Sequence, residues 1–174
     1  MVTFAPTMIV QNTVQSVFRC SLERAFKTPI LGDATKMLTG YGVVPPCVGF
    51  SEDETWGVEG GHRIPQMAGN LFAQKGSYGF DQVLVRQENN YWKWQVDNFP
   101  PLLFFATKAQ GEWFCKDNHD GSVSVKWTYS FFATNMLTYP ITWLFIRIFW
   151  RGLQKKAISN MKVIAESDAP FIYK

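Results

Sequence analysis

Glu112 and Tyr129 are the pair in this chain best suited to moving a proton in an apolar setting. From Ser122 to Phe132 the sequence alternates, so Val123, Val125, Trp127, Tyr129 and Phe131 share one face of a strand while Ser124, Lys126, Thr128 and Ser130 share the other. A turn at Asn118-His119-Asp120-Gly121 brings the preceding run, GEWFC, back beside it. An even-length loop places Glu112 and Phe114 on the aromatic face, whereas an odd-length loop puts Trp113 and Cys115 there. In the even register, loss of water against Trp127 and Tyr129 would raise the Glu112 pKa. A carboxyl beside a phenol can then hydrogen-bond a ligand hydroxyl or carry a proton in an aldol-type cyclisation. At a strand end in water, Glu112 would do neither.

Other groups have weaker claims. Asp81 and Asn98 share the parity of the apolar face and would anchor a polar head group, although both fall near strand ends where water is the default. His62 and Arg63 follow a Gly-Gly turn and suit the mouth of a cleft or a plain surface. The acidic run Glu52 to Glu54 reads as a solvated turn. Cys20, Cys47 and Cys115 are odd in number and widely spaced, as suits reduced thiols, and with only two histidines they match no metal pattern. No Ser-His-Asp or Cys-His set stands out, no cofactor is implied, and a net charge of +3 without a Lys/Arg run gives no footprint for nucleic acid.

The positioning elements follow from periodicity. Thr138 to Ser167 is the one long helical pattern, capped by Thr138, with Pro140 in its first turn and Pro170 beyond its end. Trp143, Ile146, Phe149, Trp150, Leu153, Ala157, Met161 and Ile164 form its apolar arc, and Arg147, Arg151, Lys155 and Lys162 form a basic one. Gly152, where the all-apolar run gives way to a two-faced pattern, implies close packing or a bend. A helix of that length spans ~40 Å and needs an equally long apolar bed. Strands supply it. A first strand over Thr13 to Cys20 precedes a short helix capped by Ser21 and stopped by Pro29, then a second from Asp33 to Leu38. Short strands follow near Val48 to Ser51 and at His62 to Met67, where Pro65 restricts pairing to an edge or bulge. Tyr78 to Glu88 and Tyr91 to Phe99 pair about Asn89-Asn90, with Val85 facing Trp94, Val83 facing Val96, and Arg86 on the opposite side with Lys93.

At 174 residues and 47% hydrophobic side chains, the chain is sized for one domain over residues 1–174. Aromatics reach 16%, more than a core of this size requires, which suggests a cavity. The opening MVTFAPTMIVQ lacks the pattern of a signal peptide, and Ile141 to Trp150 is far short of the ~20 apolar residues of a bilayer span, so a cytoplasmic protein is expected.

Strand, two short helices, antiparallel strands and one long C-terminal helix make an α+β chain. With the SLERAF helix, the WGVEGGHR turn, the NNYWKWQV hairpin and the SVKWTYSF strand, it resembles the START-like (SRPBCC) superfamily, which includes pollen allergens, lipid-transfer domains and polyketide cyclases. That resemblance implies a helix-grip fold, a curved antiparallel sheet wrapped around the terminal helix, with an elongated apolar cavity between them. In such a fold Trp92, Trp94, Val96, Phe114, Trp127, Tyr129, Phe131, Trp143, Ile146, Trp150 and Leu153 would line the cavity. The implied function is binding of a hydrophobic small molecule such as a lipid, sterol or polyketide. The alternative is a cyclase or dehydratase using Glu112 and Tyr129. A further reading is transient contact between the basic helix stripe and a membrane surface.

Overall fold

Ser21 lies three residues beyond the first strand, and its hydroxyl accepts the N–H of Arg24, so a helix begins soon after the extended run stops. The structure is a computed structural model that describes residues 8–167. Its elements in order are β1 (Ile9–Phe18), α1 (Leu22–Leu31), α2 (Ala34–Met37), β2 (Cys47–Ser51), β3 (His62–Met67), β4 (Gly76–Ser77), β5 (Phe80–Gln87), β6 (Tyr91–Asp97), β7 (Ala106–Asp117), β8 (Val123–Ala133), α3 (Tyr139–Phe145) and α4 (Arg151–Glu166). A 3₁₀ turn at Pro101–Leu103 precedes β7, and a π turn at Ile146–Trp150 joins α3 to α4. The strands form one antiparallel sheet in the order β1-β8-β7-β6-β5-β3-β2, with β4 beside β3. The terminal helix packs across β1, α1 and α2, which is the expected helix grip. Residues 1–7 of the opening stretch, and Pro170, lie outside the described residues.

Four local expectations give way to tertiary structure. Pro29 does not stop α1, which runs to Leu31. A proline here leaves the carbonyl of Ala25 without its helical donor, and the Trp113 indole N–H takes that place at 3.2 Å. The loop between β7 and β8 is odd in length: Asp117 pairs with Val123, and Trp113 faces Trp127. Trp113 and Cys115 therefore point inward, and Glu112 and Phe114 point outward.

In the β5–β6 hairpin a bulge at Leu84 changes the pairing, so Val83 opposes Trp94 and Asp81 opposes Val96. Beyond the bulge Arg86 opposes Trp92, and its guanidinium lies 4.8 Å from that ring rather than on the far side.

The fourth difference concerns the terminal helix. Thr138 accepts no first-turn N–H; instead Asn135 Oδ1 accepts from Leu137 and Thr138. The π turn inserts one residue, which rotates everything before it by about 100°. Trp143 is consequently 45% exposed, and Thr142 takes the buried position with its hydroxyl donating to the Phe105 carbonyl. Gly152 follows the turn at a close approach. A Cβ on it would lie 2.1 Å from the Tyr41 ring.

The space between sheet and helices is divided in two. At the α1 end it is solid. Trp92 stacks on Phe26 at 5.0 Å and donates to the Phe26 carbonyl, Trp113 packs on Phe18, and Trp127 lies 6.3 Å from Trp113. Beside it, Asn12 and Gln154 form a buried hydrogen bond that ties β1 to α4. At the other end, beneath α3 and the π turn, the space is open.

Candidate functional site

The open end is a cavity of about 410 Å³. The sheet contributes Val96 from β6, Ala109 from β7, and Tyr129 and Phe131 from β8. The terminal helix contributes Phe145, Trp150 and Leu153, brought to one wall by the π turn. Phe131 lies 5.0 Å from Trp150 and 5.9 Å from Phe145, and Tyr129 lies 4.6 Å from Trp150, so sheet and helix meet through ring contacts above the space. Loops close the rest: Leu38, Val43, Val44 and Pro45 after α2, Phe72 and Ala73 between β3 and β4, and Phe99, Leu102, Leu103 and Phe105 before β7.

Polar groups are few, and they cluster. Arg63 on β3 and Asp81 on β5 are direct cross-strand partners, and Arg63 Nε donates to Asp81 Oδ2 at 3.1 Å. Both are buried, at 8% and 6% exposure. The guanidinium is held between the rings of Phe50 and Trp56, each 3.7 Å from its central carbon, and the Trp56 indole N–H is anchored on the Ile30 carbonyl. Burial works against both charges and their mutual attraction opposes it, leaving the Arg63 pKa below its usual range and that of Asp81 above its own. Burial raises the Tyr129 pKa strongly, and the Asp81 charge adds to this, so the phenol stays protonated and is a donor at neutral pH. Cys47, also in the wall, is raised by burial and is a thiol rather than a thiolate. Among the described residues no group of three or more His, Cys, Asp and Glu is arranged to hold a metal.

Of the eleven residues expected to line the cavity, Val96, Tyr129, Phe131, Trp150 and Leu153 do so. Trp92 and Trp127 belong to the solid end, and Ile146 is fully buried within the helix packing. Trp94 covers Gly111 on the neighbouring strand, where a Cβ would lie 2.2 Å from its indole. Phe114 is 42% exposed on the outer face, and Trp143 is turned outward by the π turn. Glu112 is also on the outer face, accepting a hydrogen bond from the Tyr91 hydroxyl, far from the role sketched for it beside Tyr129. Asn98 is exposed, and His62 stacks on Phe80 at 5.2 Å.

The pair Arg63–Asp81 was only half legible. The parity of Asp81 pointed inward, but nothing in the sequence says that β2 and the Trp56 loop close over this end of the sheet. The loop residues of the wall carry no periodic signal at all.

No family model and no curated protein matches the sequence. Solved structures do match in fold. Ara h 8.0201 aligns with 90% of this chain and 97% of its own at a TM-score of 0.63 and 9% identity. A Thalictrum flavum norcoclaurine synthase point mutant, solved with a transition-state analogue, aligns with 93% of this chain and 97% of its own at 0.65 and 11% identity. The di-domain ARO/CYC protein StfQ of the steffimycin biosynthetic pathway aligns at 0.66 and 10% identity, with 91% of this chain spanning 52% of that one. At such identities the likeness shows the helix-grip fold alone.

Proposed function

We propose that this protein binds a hydrophobic small molecule in the cavity between the sheet and the terminal helix. The observation that carries this reading is the cavity itself: about 410 Å³, walled almost wholly by apolar and aromatic side chains, with its polar groups gathered at one place. The fold relatives are consistent with it, since a norcoclaurine synthase holds a transition-state analogue and an ARO/CYC protein belongs to a biosynthetic pathway. Binding is favoured over the cyclase alternative because Glu112, the carboxyl that reading relied on, faces away from the cavity. Native mass spectrometry of the purified protein, followed by titration with 1-dodecanol, tests it. A co-purified small molecule, or a saturable change in fluorescence that Trp150→Phe abolishes and Trp92→Phe leaves in place, is the expected result. Absence of both overturns the reading.

The same reading gives the rim a partner. Leu71, Phe72, Leu102, Phe104, Met136 and Leu137 are exposed on three segments beside the cavity. Two of these are tied together by Thr134, whose hydroxyl donates to the Phe104 carbonyl. No Asp or Glu occurs between Glu59 and Asp81, between Asp97 and Glu112, or between Asp120 and Glu166, whereas Arg147, Arg151 and Lys155 follow the rim on the helix. Apolar tips backed by uncompensated cations suit an anionic bilayer, at which a water-insoluble ligand would be exchanged. Among the described residues no helix is long and apolar enough to cross a membrane, so the contact would be peripheral. Co-sedimentation with phosphatidylserine-containing vesicles, lost with pure phosphatidylcholine and with Phe104→Glu/Leu137→Glu, is expected; equal binding to both vesicle types would remove the electrostatic part.

A further inference from the structure

Arg63 is a cation held at the wall of an apolar cavity with only part of its hydrogen-bonding capacity used. Its Nε is taken by Asp81 Oδ2. Its two Nη groups make no hydrogen bond to any described residue, and neither does Asp81 Oδ1. Phe50 and Trp56 cover the two faces of the guanidinium, so a partner can reach it only in the plane of the fork, along the Nη edge. At an apolar wall the Nη groups of Arg63 and Oδ1 of Asp81 carry a cost unless water or a ligand pairs with them. Both residues line the cavity.

The charge balance decides what that partner is. Arg63 remains protonated in the working pH range, and Asp81 faces it at 3.1 Å, so the pair is close to neutral as a unit. The remaining lining residues carry no further charge. A carboxylate placed on the free Nη edge would compete with Asp81 for one cation and leave a net negative charge in an apolar enclosure. A neutral oxygen would not. A carbonyl or phenol oxygen can accept from Nη, and an adjacent hydroxyl can donate to Asp81 Oδ1, without adding charge. Tyr129 stands near enough to feel the Asp81 charge and supplies a further neutral donor.

Resting on the cavity-binding reading, we infer that the Arg63–Asp81 pair is the polar anchor of the site and selects uncharged, oxygen-bearing hydrophobes, ketones and phenols, over carboxylic acids of the same skeleton.

Isothermal titration of the full chain with four probes of one skeleton, naphthalene, 2-naphthol, 2-acetylnaphthalene and 2-naphthoate, tests this. The naphthol and the ketone should bind at least tenfold more tightly than naphthalene and than naphthoate. In the charge-free double variant Arg63→Gln/Asp81→Asn, that preference should shrink to less than threefold. Since the series on the wild-type protein needs no variant, poor folding of the double variant leaves the selectivity test intact. Equal affinity for naphthalene, naphthol and the ketone would overturn the anchor while leaving the cavity reading standing. Tightest binding of naphthoate would overturn it in favour of a carboxylate site. Binding of none of the four, with no co-purified molecule, would instead remove the cavity reading on which the anchor rests.

Discussion

The two ends of the space under the terminal helix are built from similar residues and end in opposite states. At the α1 end, Trp92, Trp113 and Trp127 fill the volume, and the indoles of Trp92 and Trp113 are fastened to helix carbonyls at Phe26 and Ala25. At the α3 end, Tyr129, Phe131, Phe145 and Trp150 surround a volume that they do not fill. The difference lies in what faces the sheet. A continuous helix lying on β7 and β8 lets large rings interdigitate with it. A π turn and three loops meet the sheet through tilted and edge-to-face ring contacts and leave a gap beside them. An aromatic excess therefore does not by itself announce a cavity; most of the tryptophans here are structural.

That contrast can be broken by mutation. Trp113→Ala should cost ~3–5 kcal/mol, because it removes a fully buried ring and strands the Ala25 carbonyl. Phe99→Ala, at the hollow end, should cost roughly 1 kcal/mol, since it widens a space that already exists. Denaturant unfolding of both variants measures this, and equal costs would mean that the two ends are packed alike. Asp81→Leu should approach the larger figure, ~3–5 kcal/mol, by leaving Arg63 buried and unpaired. Adding Arg63→Met to it should recover most of the loss.

Alkaline pH reads both ends at once. Burial holds the Tyr129 pKa above its ordinary value of 10.0 and pushes the Cys115 thiol from 9.0 up to about 12. Each raised group contributes stability that is complete below its unfolded pKa and is lost as pH rises toward its folded one. The slope is about 1.4 kcal/mol per pH unit for each group. Stability should begin to fall above pH 9, through Cys115 at the filled end and Cys47 in the cavity wall, and more steeply above pH 10, where Tyr129 at the hollow end adds to them. Cys115→Ala should reduce the first component and Tyr129→Phe the second, as followed by thermal melts across that range.

Smaller effects locate the boundary of the hollow end. Gly152→Ala gains helix propensity but drives a methyl into Tyr41, for a net loss of roughly 1 kcal/mol. Tyr41→Ala in the same background should turn that loss into a gain, and a rise in Tm for Gly152→Ala alone would refute the close-packing role. Glu112→Gln should change stability by less than ~0.5 kcal/mol and leave ligand titrations unaltered, because the outer face takes no part in the contrast. Weakened binding in that variant would reopen the cyclase reading.

Periodicity along the chain was enough to determine the class of the fold. The alternation of β8, the inward set Trp92, Trp94 and Val96 on β6, the Ser21 cap and the long amphipathic terminus are all local patterns, and each appears in the structure. Parity even placed Asp81 on the inner face. What local pattern cannot supply is phase across an interruption. One residue in the β7–β8 loop moved Glu112 and Phe114 out and Trp113 and Cys115 in. A bulge at Leu84 brought Arg86 to Trp92, and one extra residue in the π turn exchanged Trp143 for Thr142. The cavity depended on tertiary structure most of all, because its loop walls are aperiodic and the Arg63–Asp81 pair joins residues eighteen apart in the chain. Side-chain direction within an unbroken element follows from its own repeat, but whether two such elements enclose a void is decided by how they meet.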